Sequence, residues 1–210
     1  MRGVNGVDLV ARQVERQLSP EKAEAILQGA MQEFLRRGYA GTSMDRVAAA
    51  AGVSKATVYS HFQDKEGVFT ALVQRLAQEK ISFIQDEQFL AMPIRQALTM
   101  ILTRGLGQME RDEQHLPFIR LIIGESGRFP ELAQIFVRNL HKPGLERITQ
   151  FLDQHPDLQL EDPEAIARIA LGAMVHFMLI QHVLHGQEIL PMERDRLIKS
   201  LVDLVCGPDL

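Results

Sequence analysis

An all-α protein is predicted, and three observations predict it. Ala, Leu, Gln, Glu and Arg are plentiful while long β-branched runs are absent, which favours helices over strands. No segment alternates apolar and polar residues as a half-buried strand must. Pro and Gly breakers divide the chain into blocks whose apolar residues recur at helical spacing: three after Pro20, then about six more.

The blocks follow in order. In the leader, Val7, Val10, Val14 and Leu18 fall at helical spacing, and a short helix is expected there. Ser19-Pro20 opens a stronger helix, with Ser19 as cap and Pro20 in the first turn. Its apolar stripe is Ala23, Ile26, Leu27, Ala30, Met31 and Phe34. Arg36 and Arg37 suit its negative end, and Gly38 stops it. Two short helices are expected at Asp45–Ala51 and Lys55–Phe62, then a long one from Lys65 to about Gln88. Further helices are read near Met92–Arg111, Pro117–Ser126, Pro130–His155 (bent or broken at Pro143-Gly144), Pro163–Leu184 and Met192–Val205. The domain division is a leader (residues 1–19), a three-helix domain (20–66) and a helical bundle (67–210). A helix shared across the last boundary would couple the two domains mechanically.

Composition narrows the possibilities. The 210 residues are 46% hydrophobic and 24% charged, an ordinary globular balance. A single cysteine, Cys206, cannot form an intrachain disulfide, so a reducing, cytoplasmic setting is expected. The leader carries Asp8, Arg12, Glu15 and Arg16 and does not read as a secretory signal. Ile169 to Leu184, broken by His176, Gln181 and His182, reads as too short and too polar to span a bilayer. Net charge is −4, yet residues 1–80 hold 11 Lys and Arg against 9 Asp and Glu. A mildly basic N-terminal part on an acidic body fits a local nucleic-acid face.

Residues Thr42 to Phe62 carry the functional reading. Ser43 can cap the first short helix and Ser54 the second. Gly52 sits where the intervening turn needs a left-handed residue. Val47, Ala48, Ala51, Val53 and Val58 supply a small apolar core. Such a unit is a helix-turn-helix, whose second helix presents side chains to the major groove. The candidate DNA contacts on that helix are Lys55, Ala56, Thr57, Tyr59, Ser60 and His61. Thr42, Ser43, Arg46, Ser54 and Lys65 flank it as candidates for phosphates, which set register rather than sequence. Lys65 stands one residue after Asp64, at a helix start where a positive charge is unfavourable; a phosphate partner would account for it.

Thr42 through Val68 closely resembles the N-terminal domain of the TetR family of bacterial repressors. The matching residues are Thr42, Val47-Ala48, Ala51-Gly52-Val53-Ser54, Thr57-Val58-Tyr59, His61-Phe62 and Lys65-Glu66, with Phe34 and Gly38-Tyr39 closing the preceding helix. Ala56 departs from the glycine often found there. Phe118–Asn139, with Gly124-Glu125-Ser126 and Phe129-Pro130, is similar to the AefR-like branch of C-terminal domains. The resemblance implies nine helices with three in the DNA-binding domain, a homodimer, double-stranded DNA as partner, and a C-terminal domain that binds an inducer. It also places the last two helices in a four-helix dimer seam, for which Ala170, Ala173, Leu197, Leu201 and Leu204 are candidates. A dimer has a physical logic, since two recognition helices must meet grooves about 34–36 Å apart on a roughly palindromic site.

Met100, Phe118, Ile122, Phe136, Met174, Phe177 and Met178 are candidates to line an apolar ligand cavity, where methionines adapt to varied shapes. Gln181, like His176, His182, Arg120 and Glu125, is a candidate to orient a ligand, although ordinary packing roles compete at every one of these positions. Neither a cofactor nor a metal is called for. His182 and His185 are three apart with His176 and Glu188 nearby, but no third ligand has convincing spacing. Cys206 has no nearby histidine for a nucleophile pair, and Gly105 and Gly107 lack the strand and lysine of a phosphate loop. An enzyme is therefore not expected.

Overall fold

The computed structural model describes residues 19–85 and 87–207. The expected leader helix, and the possible basic arm formed by Arg2, Arg12 and Arg16, lie outside them. All regular structure among the described residues is helical. The α-helices are α1 (Pro20–Gly41), α2 (Met44–Ala50), α3 (Lys55–His61), α4 (Lys65–Ile81), α5 (Ile94–Arg111), α6 (His115–Glu125), α7 (Pro130–Phe136), α8 (Lys142–Gln154), α9 (Pro163–Met178) and α10 (Arg194–Cys206). A π turn, Val137–His141, joins α7 to α8 in one bent rod, so nine rods stand among the described residues.

Two compact units emerge. The first runs up to Val73 and also takes in Leu121–Ala133. Its core is Ile26, Ala30, Phe34, Val47, Val58, Val68 and Phe69, all fully buried. Phe34 stacks on Tyr39 at 5.5 Å, and Phe69 meets both rings edge-on at 5.8 Å. α1 crosses the C-terminal end of α2 at Gly29, where a Cβ would lie 2.8 Å from the Ala51 nitrogen. Only a glycine allows that approach.

The second unit holds Gln74–Arg120 and the residues from Gln134 onward. One apolar cluster runs through it, from Phe83, Phe89 and Leu98 to Leu152, Phe177 and Val202. α9 packs on α8, and α10 packs on α5. The long helix expected to reach Gln88 stops at Ile81, and two 3-10 segments follow, Ser82–Gln85 and Glu87–Phe89. The core takes Phe83, Ile84 and Phe89 together. A straight α-helix would point Ile84 and Phe89 to opposite sides, so the winding changes.

The bend expected at Pro143-Gly144 is realised one turn earlier, in the π turn. Pro143 has no N–H to give to the carbonyl four residues back, and a widened turn absorbs the mismatch. A second π turn, Leu179–Val183, extends α9, and the run Pro163–Val183 reaches 21 residues. That corrects the expectation that this stretch is too short and polar for a bilayer, because by length and composition it suffices. Its packing is that of a core helix on one side: Ala167, Met174, Phe177 and Met178 are buried in the apolar cluster.

Candidate nucleic-acid interface

The hairpin α2–α3 is built as its caps dictate. Ser43 Oγ accepts the Arg46 N–H (3.4 Å), and Ser54 Oγ accepts the Thr57 N–H (3.1 Å). Gly52 adopts φ 65°, a left-handed turn that lets α3 double back beside α2. Val47, Ala48 and Val58 are buried between the helices. Because those positions point inward, Ser54, Lys55, Ala56, Tyr59 and Ser60 stand on the exposed face of α3. Tyr59 is 44% exposed despite its large ring, and the Lys55 ammonium lies 5.9 Å from that ring. An exposed tyrosine beside an exposed lysine on one side of α3 presents one aromatic face, one hydroxyl and one cation outward.

Other expected contacts have different placements. Thr57 is half-buried, its hydroxyl 2.8 Å from that of Ser54. His61 turns away from the outer face, and its Nε2 donates to the Ser19 carbonyl (3.2 Å). That bond ties the end of α3 to the start of α1. Arg46 is exposed, but one guanidinium nitrogen donates to the Gly41 carbonyl at 2.6 Å. Thr42 is buried, with its hydroxyl directed to the carbonyls of Glu33 (3.0 Å) and Gly38 (2.9 Å). Its side chain holds the end of α1 rather than facing a phosphate.

Lys65 receives the same correction. Its ammonium donates to the carbonyls of Tyr39 (2.7 Å) and Thr42 (3.0 Å) and lies 4.2 Å from the Tyr39 ring centre. The lysine that seemed to need a phosphate neutralises the negative end of α1 instead. Burial lowers its pKa, opposed by the charge of Glu125. Tyr39 is pushed up to about 12 by burial and then by Glu66, Asp64 and Glu131. Glu125, a candidate ligand-orienting group from sequence, accepts the Tyr39 N–H at 3.0 Å. At Gly38, φ is 72°, and a Cβ there would lie 2.7 Å from the same carboxylate. Gly38 therefore both kinks α1 near its end and makes room for Glu125. Sequence reading missed Gly29 and Glu33; the signal for Glu33 is the Glu-x-x-Arg-Arg spacing that pairs it with Arg36 and Arg37.

In the second unit, Met174, Phe177 and Met178 join the apolar core. Phe118 is fully buried and Phe136 half-buried, whereas Met100 is 42% exposed. Ile122 is buried, but belongs to the first unit. Gln181 is a structural clasp: its amide nitrogen donates to the Leu190 carbonyl (2.7 Å) and its oxygen accepts the Met192 N–H (3.4 Å). Arg120 likewise donates to the carbonyls of His182 and Val183, capping the π turn. Of the seam candidates, Leu201 is buried within the protomer, Ala170, Ala173 and Leu197 are half-buried, and Leu204 is 74% exposed. Among the described residues no group of three potential metal ligands occurs.

Comparison with known proteins bears on this arrangement. Residues 26–72 match the model of bacterial regulatory proteins of the tetR family, and residues 96–207 match the AefR-like transcriptional repressor C-terminal domain. The chain is 31% identical over 94 residues to the transcriptional activator FasR of Mycolicibacterium smegmatis, covering 45% of this chain and 43% of that one. It is 40% identical over 63 residues to the repressor BepR of Brucella suis, covering 29% and 30%. The matched stretches thus span less than half of these relatives' length. The solved structure of a flavonoid-responsive regulator, FrrA, superposes with a TM-score of 0.70 at 28% identity, covering 89% of this chain and 96% of that one. The chain belongs to the TetR family of DNA-binding transcriptional regulators, with a C-terminal domain of the AefR-like branch.

Proposed function

We propose that this protein is a cytoplasmic homodimeric repressor that binds a roughly palindromic operator and is released by a small apolar or amphipathic inducer. The observation that carries the reading is the outer face of α3, where Lys55, Ala56, Tyr59 and Ser60 are exposed on a helix capped at both the hairpin turn and its own start. Residues 20–66 bind DNA; residues 67–210 provide dimerisation and inducer binding. Lys55, Ala56, Tyr59 and Ser60 read base edges, while Ser43, Arg46, Ser54 and Thr57 approach phosphates. The exposed apolar side chains Ile169 and Val175 on α9, and Leu204 on α10, support the dimer, since they lie on the last two helices, where the family resemblance puts the seam. An inducer that prefers a dimer with the wrong spacing of recognition helices would release DNA.

The decisive experiment measures binding of the purified protein to the DNA upstream of its own gene across a salt titration. Specific, steeply salt-sensitive binding is expected. Tyr59→Ala is expected to abolish it while leaving the dimer intact by sedimentation. Unchanged operator affinity in that variant would show that α3 is not the reading helix.

A further inference from the structure

α2, its turn and α3 hold two permanent cations, Arg46 and Lys55, and one acid, Asp45. The acid and one of the cations face each other. Asp45 Oδ1 lies 2.6 Å from the Lys55 ammonium, with both side chains well exposed. The pair spans the hairpin, joining the first turn of α2 to the first residue of α3. Asp45 suits its place, since a carboxylate favours a helix start; Lys55 does not, since an ammonium is disfavoured there. The carboxylate therefore settles a charge that α3 itself does not welcome, and its hydrogen bond raises the lysine's pKa. Meanwhile Arg46 spends one guanidinium nitrogen on Gly41. Without DNA, the recognition face therefore keeps its lysine self-neutralised.

We propose that Asp45 is a built-in counter-ion that attenuates DNA binding: a phosphate or base edge must take Lys55 from it, and its own charge then faces the phosphates. The inference rests on the DNA-binding reading above. Two costs act against every duplex. The exposed ion pair, intrinsically weak, is given up. The carboxylate left behind repels the phosphate backbone, which reduces the net charge that the hairpin brings to DNA. Both costs are independent of sequence, so Asp45 sets overall affinity and salt response rather than the choice of operator. In a dimer each cost is incurred at both half-sites.

The test is a double-mutant cycle on the full chain, using Asp45→Asn, Lys55→Met and the double variant. Binding is measured to a random-sequence duplex and to the gene's upstream DNA. Asp45→Asn is expected to bind both about three- to tenfold more tightly near 0.1 M salt, with a salt slope steeper by up to about one per half-site. The gain is expected to shrink once Lys55 is methionine, to the part that comes from the carboxylate's repulsion of the phosphates, because the ion pair is then absent. Circular dichroism and thermal unfolding establish that each variant is folded, and Glu161→Gln, an exposed acid in the second unit, serves as a charge control expected to change neither affinity. A gain that persists in full without Lys55 would overturn the proposal, placing the effect on Asp45 alone. An Asp45→Asn variant that binds DNA no better, or worse, would also overturn it. If Lys55→Met and Tyr59→Ala both leave upstream binding intact, the DNA-binding reading of α3 fails first.

Discussion

Replacing Lys65 with methionine keeps the aliphatic stem and removes only the ammonium. Two carbonyl bonds, to Tyr39 at 2.7 Å and Thr42 at 3.0 Å, are lost together with the contact to the Tyr39 ring. Hydrogen bonds to a charged group contribute roughly 1.5–3 kcal/mol each. A cation over an aromatic face adds about 0.5–1 kcal/mol. Against this stands the desolvation that lowers the lysine's pKa. The Tyr39 carbonyl keeps the Thr42 N–H as a donor, so it is not orphaned. A net loss of about 2 kcal/mol is expected, equivalent to a fall in melting temperature of roughly 4–8 °C for a chain of this size. Urea unfolding followed by circular dichroism measures it directly. The salt slope of DNA binding is expected to stay unchanged, because the ammonium serves α1 rather than a phosphate. Unaltered stability combined with a slope reduced by about one would refute this reasoning and restore Lys65 as a phosphate contact.

Two glycines with positive φ should separate strain from crowding. At Gly52 a Cβ meets nothing within 4 Å, and Gly52→Ala is expected to lower stability by about 1 kcal/mol through the left-handed backbone alone. At Gly38 the Cβ would also displace Glu125, so Gly38→Ala is expected to lose roughly 2–4 kcal/mol in the same unfolding assay. His115 is buried, and burial, joined by the positive charge of Lys80, holds its pKa down at about 4 against an ordinary 6.5. The unfolded chain therefore takes up a proton between these values that the folded chain does not. Stability from this group is complete above about pH 6.5 and falls toward pH 4, by up to about 3 kcal/mol, and His115→Leu should flatten that slope. Leu204→Asp is expected to yield monomers in sedimentation without loss of helicity, whereas Leu201→Ala, at a buried position, is expected to destabilise the protomer by about 2–5 kcal/mol.

The helices, their caps and the exposed face of α3 were legible because they are local. A cap is a side chain bonding an N–H three residues on, and Ser19, Ser43 and Ser54 do so where their sequence context requires. Gly52 follows from the same short range, a turn whose left-handed backbone disfavours any side chain. Charge and exposure at Lys55 and Tyr59 are legible too, since the apolar positions on either side leave them one direction to point.

What lay beyond sequence was every fact that depends on a distant partner. Lys65 looks like a misplaced charge until the end of α1 arrives 23 residues away with two carbonyls. Glu125 looks like a ligand group until it meets Tyr39 across 86 residues. Gln181 and Leu201 read as pocket and seam, yet one clasps a returning loop and the other fills the core. A polar atom's role is set by whichever donor or acceptor folding brings within 3 Å, and an apolar residue's by which face is covered. Spacing along the chain records neither, because both are properties of packing among segments far apart in sequence.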